Sequence, residues 1–290
     1  MKPLHLAFIL LIDVIWAGNI VAVKAAVDAA GPITAVLLRY AIVAAVCLPW
    51  LRWLPGRMWW LLATGLVAGA LFMTLGAIAF AVAENISAMA IAGQLGVPFS
   101  LILAVIIYRE RIRWPRITAV ALSIAGVVVM GFDPAIINDR LGLLLTVAAA
   151  LAWAAGNLMF RRLDGVPVLT IHAWLGLVSV PVMLAASLAM EPGHLARVPA
   201  MPFSVWAWLG YSAILSSLLG HGGMTWLFQR YPVAIVSPLT LPTPLISVGI
   251  AVAVFATPIT PRMIVGGTLT LIGVAIITLR TARARDTESP

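Results

Sequence analysis

Trp16-Ala17-Gly18-Asn19, followed by Lys24, returns in the second half of the chain as Trp153-Ala154-Ala155-Gly156-Asn157, followed by Arg161 and Arg162. The shift between the two marks is 137 or 138 residues. Further along the shift becomes 146. It lays Trp60 on Trp206, Gly76 on Gly222, Ala88 on Ala234, Leu95 on Leu241, Pro98 on Pro244, Pro115 on Pro261 and Arg116 on Arg262. An insertion of about eight residues accounts for the change of shift. Matches of Ala, Leu and Gly are cheap in an apolar chain. The matches of Trp and Pro are not, and they mark an internal repeat.

The runs around these marks fix what kind of repeat it is. The 290 residues are 63% apolar and 10% charged, with a mean hydropathy of +1.09. A soluble domain carries about a quarter charged residues. The composition excludes a cytosolic enzyme, a nucleic-acid-binding domain and a disordered chain. A membrane-spanning helix needs about 20 mostly apolar residues. Ten such runs are present, at 4–23, 33–54, 58–82, 86–108, 114–131, 141–159, 168–190, 203–228, 234–256 and 262–279. They leave about 90 residues for loops and tails, too few for a soluble ectodomain or a nucleotide-hydrolysing domain. The runs are continuous, which is not the alternating pattern of an outer-membrane barrel. The sequence therefore predicts an all-α integral membrane protein of ten helices.

Alternate loops divide the basic residues unevenly. Lys24, Arg39, Arg140, Arg197 and Arg262 fall on one side and the other 13 of the 18 on the opposite side. The positive-inside rule then places both termini in the cytoplasm, as an even number of spans requires. The net charge of +8 is thus an orientation signal and a contact for lipid headgroups, with no nucleic-acid partner implied. Lys2 ahead of an apolar run resembles the start of a signal peptide. Removing that run would break the repeat, so it is read as a retained first span. Cys47 stands alone and forms no intrachain disulfide. No phosphate-binding loop and no metal-ligand spacing occurs, and no cofactor is expected.

The repeat divides the chain into residues 1–131 and 141–279, with a cytoplasmic tail at 280–290. Each half holds five helices. Five is odd, so the second half crosses the membrane upside down relative to the first. Inverted repeats of this kind are the architecture of many secondary transporters, with the substrate site near the midplane between the repeats.

Several motifs carry a family resemblance. They are Trp16–Asn19 with Lys24, Leu38-Arg39-Tyr40, Tyr108-Arg109-Glu110-Arg111-Ile112 and Ile124–Val127 in the first half. The second half has Trp153–Asn157 with Arg161 and Arg162, the stretch from His221 to Pro244, and Leu271–Val274. Together they resemble the EamA family of the drug/metabolite transporter superfamily, over nearly the whole chain. The resemblance implies ten helices in two repeats and a secondary carrier of small metabolites, usually an exporter. Within the family the chain is similar to bacterial amino-acid exporters of the aromatic and the cysteine/O-acetylserine types. That implies a bacterial inner-membrane location, with oligomeric state open and a monomer plausible.

The residues themselves suggest a site. Gly93–Pro98 interrupts the fourth span and Ser237–Pro244 the ninth, at equivalent places. Proline removes a backbone donor and kinks the helix. Paired interruptions point to the transport site. Gln94, Pro98, Ser237, Thr240, Thr243 and Pro244 are therefore candidate pathway residues. Trp16 with Asn19, and Trp153 with Asn157, each share a helix face. An Asn amide must find partners inside the bundle, either a neighbouring helix or a substrate. Phe72, Phe80 and Trp226 are candidate walls for an aromatic or apolar substrate, or core packing. His221, among Gly220, Gly222 and Gly223, is a candidate gate or a packing histidine. Asp13, about 14 Å into the first span at 1.5 Å per residue, and Arg39 are intramembrane charges. They read as coupling groups, as an ion pair with each other, or for Arg39 as an attractor of substrate carboxylate.

The scarcity of inward charge favours amino acids and other neutral metabolites over phosphorylated ones. The leading expectation is an exporter of aromatic or neutral amino acids working by alternating access. An exporter of drugs or cationic compounds remains a rival, with Asp13 its sole inward carboxylate. A membrane-embedded enzyme or scramblase would need ionisable residues clustered at one depth, which the sequence lacks.

Overall fold

The computed structural model describes residues 1–109, 113–133, 139–228, 230–231 and 236–286. Part of the Tyr108–Ile112 motif lies outside these residues, and the Ser237 side chain is outside them too. All described secondary structure is helical.

Ten spans follow one another with short connections. Helix α1 is Pro3–Ala30 and α2 is Pro32–Cys47. Helix α3 runs Met58–Val82 and contains a π-helical segment, Gly65–Leu71. Helix α4 consists of Ile86–Ala92 and Gly96–Tyr108 around a 3-10 turn, Gly93–Leu95. Helices α5, α6 and α7 are Trp114–Gly131, Arg140–Phe160 and Val168–Met190. Helix α8 comprises Phe203–Gly210, the π-helical Tyr211–His221 and Gly222–Phe228. Helix α9 begins with a 3-10 turn, Ser237–Thr240, and continues as Pro242–Phe255. Helix α10 is Pro261–Asp286. Among the described residues nine of these are long and apolar enough to span a bilayer, and Pro242–Phe255 is shorter. The shortening has a plain cause, because Pro238, Pro242 and Pro244 forbid a continuous helix over the ninth run.

Proline in the first turn starts α1, α2, α5, α9 and α10, where its missing N–H costs no hydrogen bond. Gly31 alone separates α1 from α2, and its φ of 85° is a conformation that only glycine adopts readily.

The packing obeys the inverted symmetry. Helix α2 packs along α7, and α5 packs along α10; in each pair the partners are equivalent helices of the two repeats. The remaining contacts come in matched sets. Helix α1 meets α8 and α9 of the other repeat, as α6 meets α3 and α4. A pseudo-two-fold axis demands this pattern. The α5–α10 contact is close because Gly126, Gly266 and Gly273 bring the backbones together, with Ser123 and Thr270 donating across it at 3.4 and 3.3 Å. Facing outward are side chains such as Leu4, Trp59, Leu141, Leu144 and Phe203, all more than half exposed, which is the surface that lipid solvates.

With ten spans, the start of α1 and the end of α10 lie on one side of the bundle, the terminal side. On the far side the helices are tied together. The buried Glu191 carboxylate at the end of α7 accepts from the Ile33 and Thr34 amides at 2.8 Å and from Thr34 Oγ1 at 2.6 Å. It thereby satisfies donors that the first turn of α2 leaves open. Asp139 does the same at the start of α4, accepting from the Glu84 and Asn85 amides at 2.8 and 2.6 Å. Asn85 Nδ2 donates to the Pro258 carbonyl at 3.2 Å, and Ser87 and Thr257 share a hydrogen bond of 2.7 Å. These bonds hold the outer end of α4 against the α9–α10 turn.

A Cβ at Gly126 would strike the Gly266 carbonyl and Thr270. Gly126→Val is therefore expected to destabilise the bundle by about 1–3 kcal/mol through overpacking. The check is thermal unfolding of the detergent-purified protein, where an unchanged midpoint would mean that α5 and α10 are not in this contact.

Candidate substrate pathway

A cavity of about 920 Å³ occupies the interface between the repeats. At its inner end stand Trp16, Gln94, Trp153, Asn157, His221, Thr240 and Thr243. From there it passes Ser100, Leu101 and Ala104 of α4, Ile277 and Thr278 of α10, and Arg161 and Asp164 of the α6–α7 connection. Those residues all lie on the side that holds the termini. The cavity therefore opens to that side and is shut on the other by the ties just described.

The irregular backbone builds its inner end. The π-helical segments of α3 and α8 start at Gly65 and Tyr211, which are 146 residues apart and thus equivalent. The 3-10 turns of α4 and α9 overlap under the same shift, which lays residues 93–95 on 239–241. A π turn widens the helix and leaves carbonyls off the regular ladder, and such turns recur at functional sites. In α8 the Ser216 carbonyl accepts from Trp16 Nε1 at 3.2 Å and from the His221 imidazole Nδ1 at 3.1 Å. The Ser212 carbonyl accepts from Ser217 Oγ at 3.2 Å. Gly220 carries no Cβ where the Trp16 indole presses on α8. The outcome is an aromatic row. His221 lies between the two repeat-equivalent tryptophans, with ring centroids 5.2 Å from Trp16 and 5.6 Å from Trp153. Phe72 backs Trp153 at 5.0 Å.

The sequence candidates separate into groups. Trp16, Gln94, Trp153, Asn157, His221, Thr240 and Thr243 come together on the cavity wall. Phe72 stands one layer behind it. Asn19 is turned to α8, where its Oδ1 accepts from Ser212 Oγ at 2.6 Å. Phe80 packs into the cluster of Met89, Ile91 and Met130. Pro98 and Pro244 are buried within the broken helices rather than on the wall. Trp226 is turned away altogether. It lies on a separate membrane-facing groove with Leu4, His5 and Phe8, under the Arg230 guanidinium at 3.9 Å. Asp13 and Arg39 do not pair with each other. Asp13 bonds Thr243, and Arg39 donates to Ser217 Oγ through Nε at 3.1 Å and Nη2 at 2.8 Å. Each buried charge thus stands directly behind a hydroxyl of the wall.

Tyr40, His172 and Ser217 also line the cavity, although the sequence did not single them out as binding residues. Tyr40 adjoins Arg39 in Leu38-Arg39-Tyr40, which was a usable signal. Ser217 carried none, since only the π turn brings it to the wall.

A bundle of this topology, with a one-sided cavity at the interface of inverted repeats, is the architecture of a multi-pass membrane transporter. The EamA-like transporter family matches residues 4–132 and 140–279, one match per repeat. The chain belongs to the EamA-like transporter family. A probable amino-acid metabolite efflux pump of Salmonella typhimurium is 25% identical over 278 residues, 92% of each chain. A protein of the same description from Escherichia coli is 25% identical over 279 residues, again 92% of each. A solved crystal structure shares the fold with a TM-score of 0.62 at 21% identity, covering 100% of both chains.

Trp153→Ala removes one wall of the cavity and the contacts to His221 and Phe72. It is expected to lower transport about tenfold or more, the effect of losing a well-packed aromatic contact of about 1.5 kcal/mol. Expression should be retained, and a folded variant with full activity would remove Trp153 from the pathway.

Proposed function

We propose that this protein exports aromatic or neutral amino acids and related neutral metabolites across a bacterial inner membrane by alternating access. The observation that carries the reading is the inner end of the cavity. Two repeat-equivalent tryptophans, with His221 tilted between them, form an aromatic stretch of the wall, and Gln94, Asn157, Thr240 and Thr243 supply neutral hydrogen-bonding groups on the same cavity. Sites for small molecules have this composition, mostly apolar with a few convergent polar groups. The charges are placed for a zwitterion. Arg39 lies one hydrogen bond behind the wall at Ser217, and among the described residues no acidic side chain lines the inner end. The carboxylate of an amino acid would find the field of the buried Arg39 guanidinium behind Ser217.

The charge bias of the loops orients the chain, and the direction of transport is carried by the likeness to the efflux pumps. With the termini in the cytoplasm, the open side of the cavity faces the cytoplasm. An exporter loads its substrate in that state. The likeness to probable amino-acid metabolite efflux pumps supports the same reading.

Purified protein in liposomes loaded with a mixture of amino acids tests it. Selective loss of aromatic or small neutral amino acids is the expected result. Loss of a cationic dye with no amino acid released would contradict it. In the same assay Arg39→Gln is expected to raise the amino-acid KM about tenfold, a change of about 1.4 kcal/mol. Arg39→Lys, which keeps the charge, should raise it less.

A further inference from the structure

We propose that Asp13, held by Thr243 behind the cavity wall, is a proton-binding site that couples export to inward proton movement. The proton-binding half of this stands on its own, and the coupling half rests on the transport reading above.

Asp13 lies in the middle of α1 and has no exposed surface. Its Oδ1 accepts from Thr243 Oγ1 at 2.7 Å. Its Oδ2 is buried with no hydrogen-bond partner, and it is the one such side-chain atom among the described residues. The elements packed on α1 bring few titratable or charged groups. Helix α8 brings Tyr211 and His221, α2 brings Arg39, Tyr40 and, at its far end, Cys47, and His194 and Arg197 lie in the short helix after α7. Helix α9 and the Phe72–Val82 part of α3 bring none. The contacts of these groups lie elsewhere. Tyr211 donates to the Ile15 carbonyl, His221 is on the Ser216 carbonyl, Arg39 is on Ser217 and His194 is on the Ala30 carbonyl. No ion pair to Asp13 exists among the described residues.

An ionised carboxylate in this position keeps one oxygen desolvated and unpaired, which burial penalises heavily. A single proton removes the charge. The described contacts supply one carboxylate and one hydroxyl here, and among the described residues no group of three or more His, Cys, Asp or Glu could hold a metal ion. The proton is the ligand that fits.

Thr243 makes the site more than a buried acid. It lies on the cavity wall between Pro242 and Pro244, in the broken helix of the second repeat. When Asp13 is ionised, the Thr243 hydroxyl donates to it. When Asp13 carries a proton, the acid can donate to Thr243 Oγ1, and the Thr243 hydrogen is released to the cavity. Substrate and proton then act on one hydroxyl from its two sides. On deprotonation the O–H bond of the Asp13 carboxyl breaks and its proton passes to Thr243 Oγ1, while the hydroxyl proton of Thr243 leaves to water in the cavity, so that Thr243 ends as the neutral hydroxyl that donates to the carboxylate. Opening on the far side would let the site take a proton there, and opening on the terminal side would let it go.

The test has two readouts on the full chain. Infrared difference spectra of the purified protein, titrated in pH without any substrate, should show the carbonyl stretch of one protonated carboxyl that Asp13→Asn removes. In proteoliposomes, Asp13→Asn should lose the stimulation of amino-acid export by an inward proton gradient while retaining exchange of amino acid for amino acid. A band that persists in Asp13→Asn, or a gradient effect that survives, overturns the proposal. So does stimulation by sodium at constant pH that Asp13→Asn abolishes. A band that vanishes in Asp13→Asn while wild-type protein moves no amino acid leaves the proton site standing and overturns the transport reading instead. Should Asp13→Asn fail to fold, Thr243→Val keeps the carboxyl and removes its hydrogen bond. The midpoint of the same band should then move to higher pH, and an unmoved midpoint overturns the proposal.

Discussion

Hydrocarbon offers no partner to a backbone N–H or C=O, so every irregular turn inside the membrane must be covered by protein or face a cavity. The rest of this structure follows from that constraint. Four of the ten spans depart from regular α-helix within the bundle, and they are two equivalent pairs, α3 with α8 and α4 with α9. All four departures surround one cavity. The carbonyls displaced in α8 are used by Trp16, His221 and Ser217, and through Ser217 they orient a hydroxyl onto Arg39. The breaks thus place polar groups at a depth where side chains alone are costly.

The regular helices form the frame. Helices α2 with α7 and α5 with α10 meet their own counterparts across the pseudo-two-fold axis, along most of their length. The symmetry maps each of these two contacts onto itself. The asymmetry of the observed state lies elsewhere, in the ties of α4 to the α9–α10 turn and in the open mouth at the opposite end. Exchange of open and closed ends between equivalent helices is the least rearrangement that such a repeat permits.

Much of this was legible in the sequence. Run lengths gave the ten spans, and Trp16 and Trp153, with Pro98 and Pro244, gave the repeat and the breaks in α4 and α9. The π turns were not legible, because neither glycine nor proline marks Tyr211–His221 as different from ordinary helix before Gly220. Which face each helix turns inward was also largely hidden. Where a helix is apolar all round, periodicity does not separate core from lipid. The sequence therefore leaves Asn19 open between a substrate and a neighbouring helix, where the fold gives it Ser212, and leaves Trp226 open between a cavity wall and packing, where the fold sets it on the outer groove. Asp13 was visible as a charge in an apolar run, but its partner Thr243, 230 residues away, belongs to the fold alone.

Accessibility of single cysteines tests the central claim, that the two ends of the cavity open in turn. Cys47→Ser removes the native thiol, and a cysteine is then placed either at Ala104, in the open mouth, or at Ser87, in the closed far side. A membrane-impermeant maleimide is applied from each side with and without saturating amino acid. Without substrate, Ala104→Cys should label from the terminal side and Ser87→Cys should be protected. A transported amino acid applied from the far side should lower the first and raise the second together. Labelling of both sites at once, or of either site without a reciprocal change at the other, would contradict alternating access.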